Sequence, residues 1–573
     1  MRYLSLLNIL VLVCFVTTSM TAQIVSIPDA NFKTLLVNNP QINLNGDAEI
    51  QLSEAQAFTG KIDVSTSFIQ SLTGIEAFTA LTTLDCKQNN LDTLDLSANV
   101  ALVELNCRLT SLNHPLDLSN NSALAVLNCE AAHLTGLDLS NCTSLRILNC
   151  RSNSLQSLDL SNNPALEVVH CQNNQLSNLS FVQSPNLKQL DCQNNQLISL
   201  NLALLPALDS LACSFNGNLS SFNLSNNPQL LYLECAHNGF SNLNLSANAA
   251  LVYLDCSSNN LTQLTLTNNT QLKTLRCGDN NIAALNLSTN TLLEEARISR
   301  NNFTTLDLTQ NTVLKTLICG NSPLMQLDLS QTVLLEELDC RNAALTSLDL
   351  SVNTALLRVF CNNNQLTSLA VNNHPNLIAL SCNHNQLTTL EVNNNSGLVS
   401  LLCTHNQLTS LDVSSNPRLD AIECNSNQLT RLNVKNGNNQ QQHPWPFSLV
   451  ATSNNLVCVD VDDVVFSSLN WGNSVDTGVV FSDQCATSIT RLSDGLEALS
   501  IYPNPTAQEL TLDLGQVLES VEIEVVNAIG ARVFQQRYEA LSILTLDLGG
   551  KRGVYFVKIN SSGGKAITKV IKQ

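Results

Sequence analysis

The sequence predicts a mainly β protein: a parallel solenoid of about 17 turns built on a 21-residue repeat, with a short helical cap in front and a small β domain behind. Three observations carry that expectation. The first is a regular series of cysteines. Cys86, Cys107, Cys129, Cys150, Cys171, Cys192, Cys213, Cys235, Cys256, Cys277, Cys319, Cys340, Cys361, Cys382, Cys403 and Cys424 stand 21 or 22 residues apart, and Ile298 fills the one gap of 42. A fixed period of this length marks stacked supersecondary units. The second is alternation. Each period holds two short segments, such as Leu84-Asp85-Cys86 and Leu94-Asp95-Leu96, whose alternate residues face inward as in strands. The third is composition. Only 13% of the 573 residues are charged and 4% aromatic, with Leu carrying the apolar share and Asn, Ser and Thr the polar share.

Residues 1–22 read as an export signal. Arg2 supplies the positive end, Leu4 to Val16 the apolar stretch, and cleavage is expected after Ala22. Residues 23–79 form the N-terminal cap that hides the apolar end of the stack, with a helix beginning near Asp29. Inside this cap the run from Asn43 to Glu54 resembles an EF-hand calcium loop, with Asn43, Asn45, Asp47, Glu49 and Glu54 as the ligand set. Ala48 stands where such a loop wants glycine, and a metal-free capping turn is the alternative. No cofactor is expected beyond calcium at this loop.

The solenoid proper covers 80–438. Isoleucine in place of cysteine at 298 shows what the position wants, a small buried apolar side chain, and Val64 fills the same role in the preceding turn. Parallel neighbours hold their Cβ atoms too far apart for a disulfide, so free thiols are expected. Cys142, outside the cysteine frame, is expected to be a buried thiol as well. Two columns of asparagine follow the two segments: Asn89, Asn153, Asn174, Asn195, Asn259, Asn280, Asn364 and Asn406, then Asn99, Asn163, Asn227, Asn248, Asn290, Asn353 and Asn416. A side-chain amide both donates and accepts, so these columns are expected to satisfy main-chain groups that each bend would orphan. Thr110, Ala132, Ser322 and Ala343 interrupt the first column, where looser turns are expected.

Residues 439–487 depart from the repeat and form the C-terminal cap. Cys458 and Cys485 lie outside the ladder in a chain bound for an oxidising compartment, and are expected to pair as a disulfide. A polar linker over 488–498 leads to a new module at 499–573. Its strand-like runs fall at Glu509–Leu514, Val521–Asn527, Ala531–Phe534, Leu544–Leu548, Gly553–Ile559 and Lys569–Lys572.

The cysteine and asparagine pattern resembles the leucine-rich-repeat family, in particular secreted bacterial arrays of the Bacteroidetes type. It departs from the commoner repeat in carrying Cys where Leu is usual and a strand-like segment where a helix often lies. The C-terminal module resembles the sorting domain of type IX secretion cargo. The matching features are Tyr502-Pro503-Asn504-Pro505, the turn from Asn527 to Gly530, the strand Gly553-Val554-Tyr555-Phe556-Val557-Lys558-Ile559 and a basic extreme C-terminus. That resemblance implies a small β-sandwich, passage across the outer membrane by the type IX machinery, and a secreted or surface-attached product.

A net charge of −19 without basic clusters argues against nucleic acid as a partner, and after the export signal no apolar run is long enough to span a membrane. No catalytic motif is found. The residues flanking the ladder cysteines are exposed by alternation. Among them Tyr232, Tyr253, Glu234, Asp255, Arg276, Arg297, Arg358 and Phe360 are the candidate ligand-binding set, because aromatic and Arg side chains on a polar scaffold are typical anchors. The two tyrosines are expected to stand in solvent, so that their removal leaves stability unchanged. His384 and His405 stack on adjacent turns without a third ligand and read as surface residues. The Asp column from Asp95 to Asp349 reads as a solvated face. The expected function is an adhesin-like binding scaffold for a protein or glycan. A structural surface protein without a specific ligand is the second reading, and an accessory module of a hydrolase the third.

Overall fold

The computed structural model describes residues 23–438, 448–485, 500–502, 506, 509–527, 531–549, 552–561 and 564–572. The export signal expected over 1–22, the linker over 488–498, residues 503–505 of the module's opening and 528–530 of its turn lie outside the described residues. The chain divides into two compact units, Met1–Val457 with Leu469–Gly478, and Cys458–Ser468 with Val479–Gln573.

In the first unit a single parallel sheet of 19 strands runs from Lys61–Asp63 to Ser448–Val450. One strand at each end thus extends the turns counted from the cysteine frame, with Val64 and Ala451 buried in the cysteine's place. Pairing is strictly in register: Leu84 faces Leu105, Leu254 faces Leu275 and Leu401 faces Ile422. The central residue of each strand points inward and stacks on its equivalents, while its two neighbours point out. The following cysteine closes the strand, Cys256 N–H donating to Arg276 O at 2.8 Å.

Two residues past the cysteine the backbone turns left-handed. Gln88, Asn194, Ser258, Asp279 and His405 all have φ between +49° and +56°. Such a conformation costs a non-glycine residue about 1–2 kcal/mol. It persists because the next side chain brackets the turn. Asn280 Nδ2 donates to Cys277 O (3.1 Å) and to Cys256 O of the preceding turn (3.0 Å), and its Oδ1 accepts from Leu261 N–H (3.0 Å). The same three bonds recur at Asn195 and Asn406, and at Asn216, Asn385 and Asn427. Where the column is interrupted, the Thr110 hydroxyl donates at 2.7 Å to Cys107 O, within its own turn.

The second asparagine column works differently. Asn269 Nδ2 donates to Leu245 O (3.2 Å) and Asn248 O (2.8 Å), both in the preceding turn. Its Oδ1, like those of Asn248 and Asn290, is buried without a hydrogen-bond partner among the described residues. Cys142, Thr332 and His374 stand in this column and also reach carbonyls, Leu118 O, Leu329 O, and Val371 O with Leu350 O respectively.

The second segment of the repeat departs from expectation. Among the described residues of this unit it pairs as a strand at Ser157–Leu160 with Asn178–Phe181 and at Ser410–Asp412 with Arg431–Asn433, with one further bridge between Leu116 and Leu137. Elsewhere it is extended without ladder partners. Asp95 Oδ1 accepts from Ser97 N–H at 3.0 Å, and Asp117 and Asp328 do the same with Ser119 and Ser330 at 2.9 Å. The same bond is made where the segment does pair, Asp159 with Ser161 N–H at 3.0 Å and Asp412 with Ser414 N–H at 2.9 Å, so it closes the segment in paired and unpaired turns alike.

The N-terminal cap is tied to the first turns by Asp29. Its Oδ1 caps the helix Ala30–Val37 through Asn31 and Phe32 N–H, and its Oδ2 accepts from Gln70 N–H (2.8 Å) and Ser71 N–H (3.3 Å). At the other end Asp476 accepts from Ser453 and Asn454 N–H, both at 2.8 Å, and Asn454 brackets the last turn as Asn280 does its own.

In the second unit Cys458–Asp460 pairs in parallel with Val480–Ser482, and a disulfide joins Cys458 to Cys485, their Cα atoms 5.9 Å apart and 27 residues apart in sequence. Closing a loop of that length restricts the unfolded chain by about 3–4 kcal/mol. The C-terminal module is one antiparallel sheet of five strands: Ser500–Tyr502, Glu509–Asn527, Arg532–Asp547, Gly553–Ser561 and Gly564–Lys572. The two runs expected at 509–514 and 521–527 are one strand, broken in register between Asp513 and Leu518. The break shifts parity. Leu510, Leu512 and Leu514 are buried before it and Val521, Ile523 and Val525 after it, so one core face continues through both halves.

The 17 free cysteines among the described residues are all buried, and burial pushes their thiols up, Cys107 to about 12. They serve as core. Replacing Cys256 with Ser buries an unpaired hydroxyl and is expected to cost about 1–3 kcal/mol, whereas Cys256→Val is much milder; equilibrium unfolding of the two variants checks this. Labelling of most ladder cysteines by a thiol reagent in the native protein would contradict it.

Candidate binding face

Register brings six of the candidate residues together on the outward face. Tyr232 pairs with Tyr253 and then Thr274 and Glu295; Glu234 pairs with Asp255, then Arg276, then Arg297. In-register strands stack like side chains one step apart, and the two tyrosine rings lie parallel, 4.4 Å between centroids and 10° between planes. The Arg276 guanidinium caps the stack 5.6 Å from the Tyr253 centroid, within cation–π range. Tyr232 hydroxyl donates to Glu234 Oε2 at 2.8 Å. Glu295, outside the expected set, links the two arginines, with Arg276 Nη2 at 3.0 Å and Arg297 Nε at 2.6 Å from the same oxygen. Burial works against the charge on Glu295, but Arg297 and Arg276 outweigh it and hold the carboxyl below its usual range.

Other members of the set are placed differently. Asp255 belongs to the same row as Glu234 and Arg276 but is buried there, and its carboxylate accepts from Ser257 N–H at 3.0 Å. Arg358 and Phe360 lie five strand steps beyond the Tyr253 strand, roughly 24 Å at ~4.8 Å per step. There Arg341 covers the Phe360 ring at 5.6 Å and pairs with Asp339 at 2.6 Å, a separate locus. A shallow cavity of about 220 Å³ adjoins Tyr232, lined by His170, Gln189, Asp191, Gln193, Ser210, Ala212 and Glu234. Burial pushes the Asp191 carboxyl above its ordinary value. The signal for this cavity was present in the sequence: Ser210 and Ala212 are small at positions where adjacent strands carry Gln, Asp, Tyr and Glu.

The loop from Asn43 to Glu54 satisfies its own oxygens. Glu54 Oε1 accepts from Leu44 and Asn45 N–H at 2.8 and 3.2 Å, and Oε2 from Gln51 N–H at 2.9 Å. Asn43 Oδ1 and Asn45 Oδ1 take Gly46 and Asp47 N–H, while Asp47 takes Glu49 N–H and the Gln51 amide. Glu49 pairs with Lys33 at 2.7 Å. Among the described residues no group of three or more His, Cys, Asp or Glu is placed to hold a metal ion. Gln51 and Glu54 form a capping box at the helix Leu52–Ala57. His384 and His405 stack at 4.1 Å on the exposed turn edge.

The tyrosines are half-buried and stacked, and do not stand free as their alternation alone suggests. Such pairs contribute about 0.5–1.5 kcal/mol beyond their area. Tyr232→Ala with Tyr253→Ala is therefore expected to lower stability by about 1–3 kcal/mol, measured by denaturant unfolding, with the fold retained. No change at all would show that the stack contributes nothing.

Residues 500–573 match the family model described as "Secretion system C-terminal sorting domain". No curated protein matches the chain. Among solved structures the chain is similar to the functional domain of InlJ from Listeria monocytogenes, described as including a cysteine ladder, at 23% identity and a TM-score of 0.53 over 96% of this chain and 99% of that one. It is also similar to YopM from Yersinia enterocolitica at 24% identity and a TM-score of 0.56, over 70% of this chain and 89% of that one. No helix among the described residues is long and apolar enough to cross a membrane. The solenoid therefore has the leucine-rich-repeat fold, and its C-terminal module is a type IX secretion sorting domain that marks the chain for export, as a secreted or cell-surface protein.

Proposed function

We infer that the exported solenoid is an adhesin-like binding scaffold that recognises a protein ligand through the Tyr232–Arg297 strip and carries out no catalysis of its own. The observation behind this reading is the tyrosine pair at 4.4 Å capped by Arg276. Tyrosine and arginine are the residue types that dominate binding energy at interfaces, and here they are pre-organised by a rigid sheet, which reduces the entropy lost on association. The ionisable groups of the strip hold one another in place: Glu234 is held by Tyr232, and Arg276 and Arg297 by Glu295. That arrangement suits recognition better than turnover. The sorting module would be read by the secretion machinery and would not contribute to the strip's ligand.

The full chain and its Tyr232→Ala/Tyr253→Ala variant, screened in parallel against extracellular-protein and glycan arrays, test the reading. A protein ligand whose affinity drops about 30-fold or more in the variant is expected, the loss typical of an aromatic hot spot of about 2 kcal/mol. A ligand bound equally by both forms would move the site elsewhere, and binding confined to saccharides would replace the protein ligand with a glycan.

A further inference from the structure

The strip is electrically polar along the solenoid axis, and we propose that it takes an extended segment of its protein ligand carrying a basic and an acidic residue about five positions apart. This rests on the scaffold reading and adds the chemistry of the ligand. On the N-terminal side, Ser210 and Ala212 stand between Gln189 and Asp191 on one neighbouring strand and Tyr232 and Glu234 on the other. Side-chain bulk falls away on that single strand, and the cavity of about 220 Å³ is the notch that results. Two carboxylates edge it. Glu234 is aimed by the Tyr232 hydroxyl at 2.8 Å and the Gln193 amide at 3.4 Å, and Asp191 accepts from Gln193 N–H at 3.2 Å. A guanidinium or ammonium group fits a notch of this size, with acid on two sides and an aromatic wall on a third.

The other end has the opposite sign. Arg276 and Arg297 converge on the one carboxylate of Glu295 and are more exposed than it, while Asp255 beside Arg276 is buried with its carboxylate on Ser257 N–H, so the charges that face outward are the guanidinium groups. Planar guanidinium groups so placed suit a carboxylate. Between the two ends lies the flat tyrosine pair. From the Ser210–Ala212 strand to the strands of Arg276 and Arg297 is three and four steps, roughly 14–19 Å at ~4.8 Å each. An extended chain advances ~3.3 Å per residue, so a ligand running along the ladder spans the two ends with about four to six residues, and an apolar side chain midway meets the rings.

Two fluorescent peptides of identical composition test this on the full chain at low salt. One carries Arg and Asp five positions apart around a central Phe; in the other Arg and Asp are adjacent. The spaced peptide is expected to bind at least tenfold more tightly by anisotropy. Ser210→Tyr fills the notch with a third ring in register and leaves the charge unchanged; Arg276→Ala/Arg297→Ala removes the basic end. Each should abolish the preference while melting stays cooperative, and Asp191→Asn serves for the notch if Ser210→Tyr does not fold. Equal affinity for the two peptides, or a preference that survives both changes, overturns the proposal. If that happens while a protein ligand still depends on Tyr232 and Tyr253, the scaffold reading stands and only the spacing rule falls.

Discussion

A single side-chain amide that bonds two successive turns at once is the interaction on which the solenoid depends. Each turn bends too sharply for its carbonyls to find partners within the ladder, and each passes through left-handed backbone at a residue that is seldom glycine. The asparagine that follows takes the carbonyl of its own cysteine and of the one before, and gives its oxygen to a main-chain N–H of the previous turn. Its chemistry explains the choice of residue. Only an amide offers two donor hydrogens and an acceptor on so short a stem. The cysteines complete the arrangement by filling the space beneath the bend with a small apolar atom and asking for no bond in return.

This bracketing has a functional consequence. Because each turn is locked to the next, equivalent residues recur at one strand spacing, and the outward face becomes a set of straight rows. A tyrosine repeated on adjacent turns must stack, and an acid or an arginine repeated there must form a charged run. The Tyr232–Arg297 strip is the product of that rule. Its rings, guanidinium groups and carboxylates hold their relative positions because the sheet beneath cannot slip by one residue without turning every leucine outward.

Much of this was legible in the sequence. The period, the burial of the cysteines and the in-register rows follow from spacing and alternation, and the pairing of Cys458 with Cys485 from their place outside the ladder in a chain bound for an oxidising compartment. What was not legible depends on contacts that cross turns. The Leu-Asp-Leu segment alternates as a strand does in every turn, yet it pairs at Ser157–Leu160 with Asn178–Phe181 and at Ser410–Asp412 with Arg431–Asn433 and not along most of the solenoid. The final solenoid strand at Ser448–Val450 follows a step of 27 residues from the previous one, where the regular period gives no cue. In the site, alternation placed Tyr232 and Tyr253 outward but gave no sign that Asp255 lies buried within its row, or that Glu295, from the tyrosine row, would link two arginines of the neighbouring row. In the run from Asn43 to Glu54, main-chain N–H groups bond Glu54 and Lys33 pairs with Glu49, contacts of geometry with no signature in composition.

Amide hydrogen exchange in an Asn280→Asp variant tests the bracketing account most directly. The substitution keeps size and the acceptor oxygen but removes both donor hydrogens, leaving Cys256 O with the Asn259 amide and Cys277 O with the Asn301 amide in place of two amide donors each. Two lost hydrogen bonds cost about 0.5–1.5 kcal/mol each, so protection across residues 256–301 should fall by roughly tenfold or more, while turns near either end of the solenoid exchange as before. Exchange unchanged in those turns would show that the ladder and the leucine core hold the bends unaided, and that the asparagine columns are incidental to the fold.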